Sequence, residues 1–518
     1  MTDSAYCAIY DFELIPYALG DVLTWNVLSA IRCEQQGRGN VDAFICLDER
    51  YPASIFQRDF VTAENSGLLF NELFGAFGTH PKPGGLHIYR SREKMLARLR
   101  ELASGDAAIS ESVNDYEQTL ALRNDASALI RYFRKTVHSH DQINAFFGIH
   151  GRIPLLRSSL GCEPDVGGLL GKRFANKRIV AIHVRLRRLD IGYGGNDSYA
   201  RDSDFLEWYE FLREAGDKHP DVQFVALGRM QEKPLELLNM PNVASLRAWG
   251  LGLGHELTLM LRSNLFIGAS SGFAAMAYFS EVPYFITRMT RRACDAYSIE
   301  LGAERFPFGT ERQTLVYEPE TKELLMRLLE RGLAGAPPRG GAPGPVLDSA
   351  IDVRSWEWER SRWLCPGATT YRFFNDAAFA QKETAFLVWP KLKEALAAWR
   401  RGLGDRAWEI LDRVERNFPR MCERFPEYLR LRMAIAPARN DTPTFDRCNA
   451  NLARLVTQEQ ERFSLSRSMS RYWGRGFPAA MRLKAAWYLA KAVWDRKHRI
   501  PRKVLDLVRR MVSRRSRS

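Results

Sequence analysis

Between residues 173 and 290, short runs of β-branched, aromatic and small apolar residues alternate with stretches of helical period. Strand 178–184 leads through the Gly-rich loop 190–203 to the helical stretch 204–220. The strand "VQFVALG" follows, then a short strand near "NVASLRA", the helix "HELTLMLRSN" and the strand "LFIGAS". The helix "GFAAMAYFSE", the strand "PYFIT" and the amphipathic "EPETKELLMRLLERGL" complete the series. Strands apolar on both faces and separated by helices need cover on both sides, which predicts a parallel sheet between helical layers. The N-terminus repeats the order with "AYCAIYDF", a helix from Val22 and "VDAFICLD". In that helix Val22, Trp25, Leu28, Ser29 and Arg32 follow a helical period. The expected fold class is α/β, with two Rossmann-like units followed by an α-helical C-terminal extension.

A chain of 518 residues exceeds the roughly 250–300 at which a single core stops growing, so several domains are expected. The boundaries read as 1–172 for an N-terminal Rossmann-like domain and 173–331 for a C-terminal Rossmann-like domain. Residues 332–346 are Gly/Pro/Ala-rich without periodicity and read as a linker. The remainder, 347–518, reads as helical, with a helical hairpin turning at Gly402 and Gly404.

The net charge of +14 is a property of the tail, since residues 467–518 carry sixteen Lys and Arg against Asp495 and Asp506. The rest of the chain is neutral, which argues against a broad nucleic-acid surface, and no nucleic-acid partner is expected. Within 479–498, Leu483, Trp487, Ala490 and Trp494 recur at helical spacing among Arg482, Lys484 and Lys491. Two readings stand: a basic helix on an anionic membrane surface, or a helix pair packed on the protein's own body. No apolar run approaches the roughly 18 residues of a membrane span, and the N-terminus lacks the pattern of a signal peptide. The eight cysteines are scattered without a CxxC pair and read as reduced thiols. The expected location is cytoplasmic, with a peripheral place at the inner face of the membrane if the tail binds lipid.

Two α/β units in series suggest a nucleoside-diphosphate partner, because ligands of such sheets sit beyond the carboxyl ends of the strands. Arg185 lies just past such an end, after His183, and a planar guanidinium matches a phosphate bidentately. Arg187 and Arg188 read as solvated partners of Asp190 or Asp202. Ser270, Ser271 and Gly272 run from a strand into a helix, where serine caps and glycine admits an anion to backbone N–H groups. A plain N-cap is the other reading. Gly228 and Arg229 end a strand where backbone approaches a ligand, or make a simple turn. Asp190, Asp197 and Asp21 are the candidates for a general base; Asp21 otherwise caps the first helix. No acidic pair or metal cluster stands at a convincing spacing, so no metal and no cofactor is expected.

"ALGDVLTWNVLSAI" and "ELTLMLRSNLFIGASSGFAAMAYFSEVP" resemble the corresponding segments of GT-B-fold glycosyltransferases. The "HVR" after a buried strand resembles the His-x-Arg motif of the fucosyltransferase-like branch, which includes bacterial transferases of surface-polysaccharide pathways. The resemblance covers about residues 5–50 and 178–290 and stops before the linker. It implies that Arg185 holds the donor diphosphate with Ser270, Ser271 and Gly272 beside it, and that His183 belongs to the same site. The branch has an acid soon after the arginine, whereas "LRRL" intervenes here before Asp190. The implied function is glycosyl transfer from a nucleotide diphosphate, guanosine slightly preferred, to a glycan or lipid-linked acceptor. The alternatives are a sugar-nucleotide epimerase of the same architecture and a non-catalytic scaffold with a basic tail.

Overall fold

The computed structural model describes residues 5–58, 61–186, 201–229, 233–249, 251–338, 352–356, 391–423 and 425–455. Asp190, Asp197, Arg187, Arg188 and the basic tail 467–518 lie outside these residues.

The chain opens with β1 (Tyr6–Asp11), α1 (Leu19–Gln35), β2 (Val41–Cys46), α2 (Ala63–Phe77) and β3 (Pro83–Tyr89). Four helices follow: α3 (Arg92–Ala103), α4 (Ala107–Ala121), α5 (Ala126–Val137) and α6 (His140–His150), then α7 (Glu163–Lys172). The first sheet has the order β1-β2-β3-β10, all parallel, where β10 is Asp352–Trp356. A strand from the segment expected to be wholly helical therefore pairs with the first sheet.

The second sheet contains β4 (Arg178–His183), β5 (Val222–Ala226), β6 (Val243–Ala244), β7 (Leu265–Ala269), β8 (Tyr284–Thr287) and β9 (Gln313–Leu315). Their helices are α8 (Phe205–Lys218), α9 (Leu235–Leu238), α10 (Leu253–Leu261), α11 (Gly272–Tyr278), α12 (Arg291–Tyr297) and α13 (Lys322–Leu333). Every pairing is parallel and the order is β6-β5-β4-β7-β8-β9. The order reverses between β4 and β7, which is the doubly wound arrangement of a Rossmann sheet. Both units are thus α/β as the sequence pattern requires.

Strand alternation assigns the two faces of this second sheet to different cores. Ile179, Ala181, Val225, Phe266 and Ile286 point into a core continuous with the first unit. Val180, Ile182, Phe224, Ile267 and Phe285 point the other way, toward α8 and α13. That second core also takes in Leu392, Ala395, Ile410, Leu411 and Val414 from the C-terminal helices. These residues lie on a helix through 391–400 and on α14 (Gly404–Asn417), joined by a turn with Gly402 at φ 77°. Phe418 stacks on Phe205 of α8 at 5.6 Å. Arg413 grips Glu207 with two hydrogen bonds of 2.7 Å and reaches Glu210 at 2.8 Å. Burial would raise the Glu207 carboxyl, but the Arg413 fork outweighs it and holds the group at about 2. The C-terminal helices are therefore part of the second unit's core.

The Gly/Pro-rich stretch begins later than its composition suggests, because α13 includes Gly332 and Leu333. A β-carbon at Gly332 would press on Leu265 and Phe285, so glycine lets the helix end lie flat on the sheet.

Candidate active site at the reversal of the second sheet

Two glycine contacts let the units approach each other. α1 packs on α11 and α2 on α10. A β-carbon at Gly75 would fall on the backbone of Gly254, and one at Gly272 would lie 2.9 Å from the Gly20 nitrogen. The space before Gly272 is thus taken by Leu19 and Gly20 of the first unit, and the N-termini of α1 and α11 meet there.

The floor of the site is made where the strand order reverses. His183 ends β4, and Ser271 follows β7 at the N-cap position of α11. Ser271 makes no capping hydrogen bond; its hydroxyl instead pairs with His183 Nδ1 at 2.8 Å. Burial, then the charges of Arg185 and Lys233, lower the His183 imidazole to about 3. The pair is therefore neutral and spans the crevice. Ser270 is buried and its hydroxyl lies 3.1 Å from the Tyr297 hydroxyl.

Arg185 stands above this floor, its side chain 15% exposed and ion-paired with Asp202. The Arg185 N–H donates to the Ser203 hydroxyl at 3.1 Å, and its carbonyl accepts from the Ser203 N–H at 2.8 Å. Asp202 thus partners Arg185 itself. Arg201 donates to the Ser270 carbonyl at 3.4 Å. Arg288, straight after β8, donates to Glu320 at 3.2 Å, and Glu320 also accepts from the Asp204 N–H at 3.0 Å and from the Thr287 hydroxyl. This buried carboxylate fixes residues 203–204 to the end of β8.

At the end of β5, Gly228 has φ 109° and its N–H donates to Glu256 at 3.1 Å. Lys233 donates to the Gly228 carbonyl and to Ser245 at 2.9 Å. Arg247 joins Glu256 at 3.0 Å to Glu72 of the first unit, also at 3.0 Å. Arg229 approaches the same Glu72 at 4.0 Å. Glycine is required at 228 by the backbone angle, and the strand end is held by a buried ion network.

Asp21 is in the first turn of α1, but Ala18 is the N-cap, so Asp21 does not cap this helix. Its carboxylate lies 3.1 Å from His138 Nε2.

Lys233, Arg247 and Glu256 escaped the sequence reading, as did Arg201, Arg288 and Glu320. Arg288 follows a strand as Arg185 does, and the same rule finds it. Glu256, the acid in "HELTLML", is a lone charge on an apolar helix, which is itself a signal of a buried partner. A surface depression lined by Asp405, Trp408, Asp412, Arg416 and Arg439 lies on the C-terminal helices rather than at either sheet's carboxyl edge. Among the described residues no group of three or more His, Cys, Asp or Glu is placed to hold a metal ion, and no helix is long and apolar enough to cross a membrane.

No family model matches the chain, and no curated protein matches it in sequence. Solved structures do overlap it. A protein described as a UDP-N-acetylglucosamine 2-epimerase from Listeria monocytogenes is 12% identical, with 66% of this chain and 93% of the other covered and a TM-score of 0.30. A glycosyl transferase family 9 protein from Veillonella parvula DSM 2008 is 12% identical over 65% of this chain and 99% of its own, at a TM-score of 0.36. The E. coli ADP-heptose LPS heptosyltransferase II is 11% identical over 64% and 99%, also at 0.36. Similarities of this size carry no argument about activity.

Proposed function

We propose that this chain is a GT-B-type glycosyltransferase that moves a sugar from a nucleoside diphosphate to a glycan or lipid-linked acceptor. The observation that carries the reading is the hydrogen bond between His183 and Ser271 across the strand-order reversal, with Arg185 two residues beyond. Open α/β sheets bind ligands in that crevice. Arg185, just past the end of β4, offers a bidentate partner for the diphosphate, and Arg201 and Arg288 add positive charge at the rim. Ser270, Ser271 and Gly272 bring the start of α11 to the same place, and Gly228 and Arg229 mark the next strand end along. Arginine and backbone dipoles meet the charge of the leaving diphosphate, with no metal required. A guanosine donor is preferred on the resemblance of "HVR" to the fucosyltransferase-like branch. The tail 467–518 supplies contact with an anionic membrane, where a lipid-linked acceptor resides.

A thermal-shift screen of the full chain against nucleoside diphosphates and their sugars tests the reading. A ligand at 100 times its Kd adds about 2.7 kcal/mol of stability. One family of nucleotides should raise Tm, and product analysis without acceptor should return unepimerised donor. No shift with any nucleotide overturns the reading, and an epimerised sugar replaces transfer with isomerisation.

A further inference from the structure

We propose that His138 is the general base of the reaction and that Asp21 positions it; this rests on the transferase reading above. Asp21 follows Gly20, Gly20 touches Gly272, and Gly272 follows the Ser271 that holds His183. The carboxylate is thus carried by the first unit to the edge of the donor floor. It is largely buried and engaged by His138 Nε2 at 3.1 Å, so it is poorly placed to take a proton from an acceptor itself.

His138 has the opposite character. It follows α5, where its N–H donates to the Phe133 carbonyl at 3.2 Å and its ring lies 4.5 Å from the Phe133 ring. Its side chain is 33% exposed, and among the described residues Nδ1 makes no hydrogen bond. The titratable groups facing it are Asp21 on α1 and His140 on α6, whose ring is 6.5 Å away. His140 is kept neutral, its imidazole lowered to about 3 by burial and then by His138. A carboxylate on one ring nitrogen fixes the tautomer and leaves the lone pair of the other facing solvent, which is the arrangement of a working base.

The step balances as a single displacement. The acceptor oxygen forms a bond to the anomeric carbon, and the carbon–oxygen bond to the diphosphate breaks with its electron pair leaving on the diphosphate. The acceptor proton passes to His138 Nδ1, and the Asp21 carboxylate stabilises the imidazolium. His138 then returns the proton to solvent.

The experiment uses the full chain with the nucleotide sugar found by the screen, water serving as acceptor, and follows release of nucleoside diphosphate. His138→Gln should slow release by about 100-fold or more, the contribution of a positioned base. Calorimetric Kd for the donor should stay within about twofold, because neither residue touches the diphosphate contacts. Asp21→Asn should slow release less, because the imidazole is then oriented only in part, and should leave the donor Kd equally unchanged. A purely structural role would not separate release from donor binding. Unaltered release by His138→Gln with donor binding intact overturns the base assignment alone; loss of donor binding in the wild type overturns the transferase reading. Nitrogen NMR of histidine-labelled protein checks the dyad without any ligand. An Nε2–H tautomer that is lost on Asp21→Asn supports it, and an Nδ1–H tautomer indifferent to Asp21 overturns it.

Discussion

The carboxyl edges of the two sheets are built from similar residues and put to different use. In the first unit Asp11 ends β1, Asp48 follows β2 and Arg92 follows β3. Arg92 bridges to Asp11 at 2.7 and 3.0 Å and to Glu13 at 2.9 Å, and its N–H reaches Asp48 at 3.2 Å. Tyr116 closes the cluster with a 2.6 Å hydrogen bond to Asp11. Burial, opposed by Arg92, pushes the Glu13 carboxyl up. In the second unit a buried ion network holds the end of β5, but the floor at the strand reversal is a neutral His–Ser pair with the Arg185–Asp202 ion pair beside it. A closed cluster stabilises a fold only while complete. An arginine beside a neutral floor can exchange one anion for another at small cost, which suits ligand binding.

The largest expected effect breaks the closed edge. Arg92→Met leaves Asp11, Glu13 and Asp48 without their shared cation, and should cost about 3–5 kcal/mol in denaturant unfolding. Loss below about 1 kcal/mol would mean that the cluster is solvated.

Arg185→Ala comes next and tests the other edge. It should weaken nucleoside-diphosphate binding by about 1.5–3 kcal/mol in calorimetry, with much less effect on unfolding. Asp202→Asn should not weaken binding, since the diphosphate takes over that partner. Equal loss of stability and affinity at Arg185 would make the two edges alike.

The third expectation concerns acid. His80 of the first unit and His183 of the second are both lowered from 6.5 to about 3, chiefly by burial. Between pH 6.5 and about 3 the unfolded chain binds protons that the folded chain refuses. Stability therefore falls as pH drops, by about 1.4 kcal/mol per pH unit for each histidine. His80→Gln and His183→Gln should each flatten the acid slope by that amount. A slope unchanged at His183 alone would show that water reaches the floor of the second edge.

The smallest effect is that of Ser271→Ala, which removes one hydrogen bond from His183 and should cost about 1 kcal/mol by thermal unfolding. A neutral result would mean that water replaces the hydroxyl.

The contrast also explains what the sequence made legible. Strand and helix periods reveal both units, because alternation and helical spacing are local properties of residues such as Ile179–Ile182 and Val22–Arg32. His183, Arg185 and Ser271 are visible because each sits at a strand end, where the fold itself defines the position. Glu320 and His138 are not, since the partners named above lie far along the chain and nothing local marks the pairing: Thr287 for Glu320, Asp21 for His138. The cap reading of Asp21 failed for the same reason. An acid near a helix start satisfies a local rule, while its actual partner is 117 residues along the chain. Gly272 reads in the sequence as a place where a ligand nears the backbone, whereas the space a β-carbon there would take belongs to the start of α1, which is set by how the units meet.

The sharing of one core by α8 and the C-terminal helices has a consequence for synthesis on the ribosome. Phe205 and Tyr209 emerge with α8, whereas Phe418, which lies 5.6 and 4.9 Å from their rings, is made more than 200 residues later. At roughly 5–20 residues per second that interval lasts about 10–40 s. The second sheet is complete in sequence once β9 is made, yet the side of α8 that meets Phe418 still has no cover, and Glu207 and Glu210 await Arg413. The nascent chain carries this apolar strip through the interval, and helices made long after α8 are the ones that seal it.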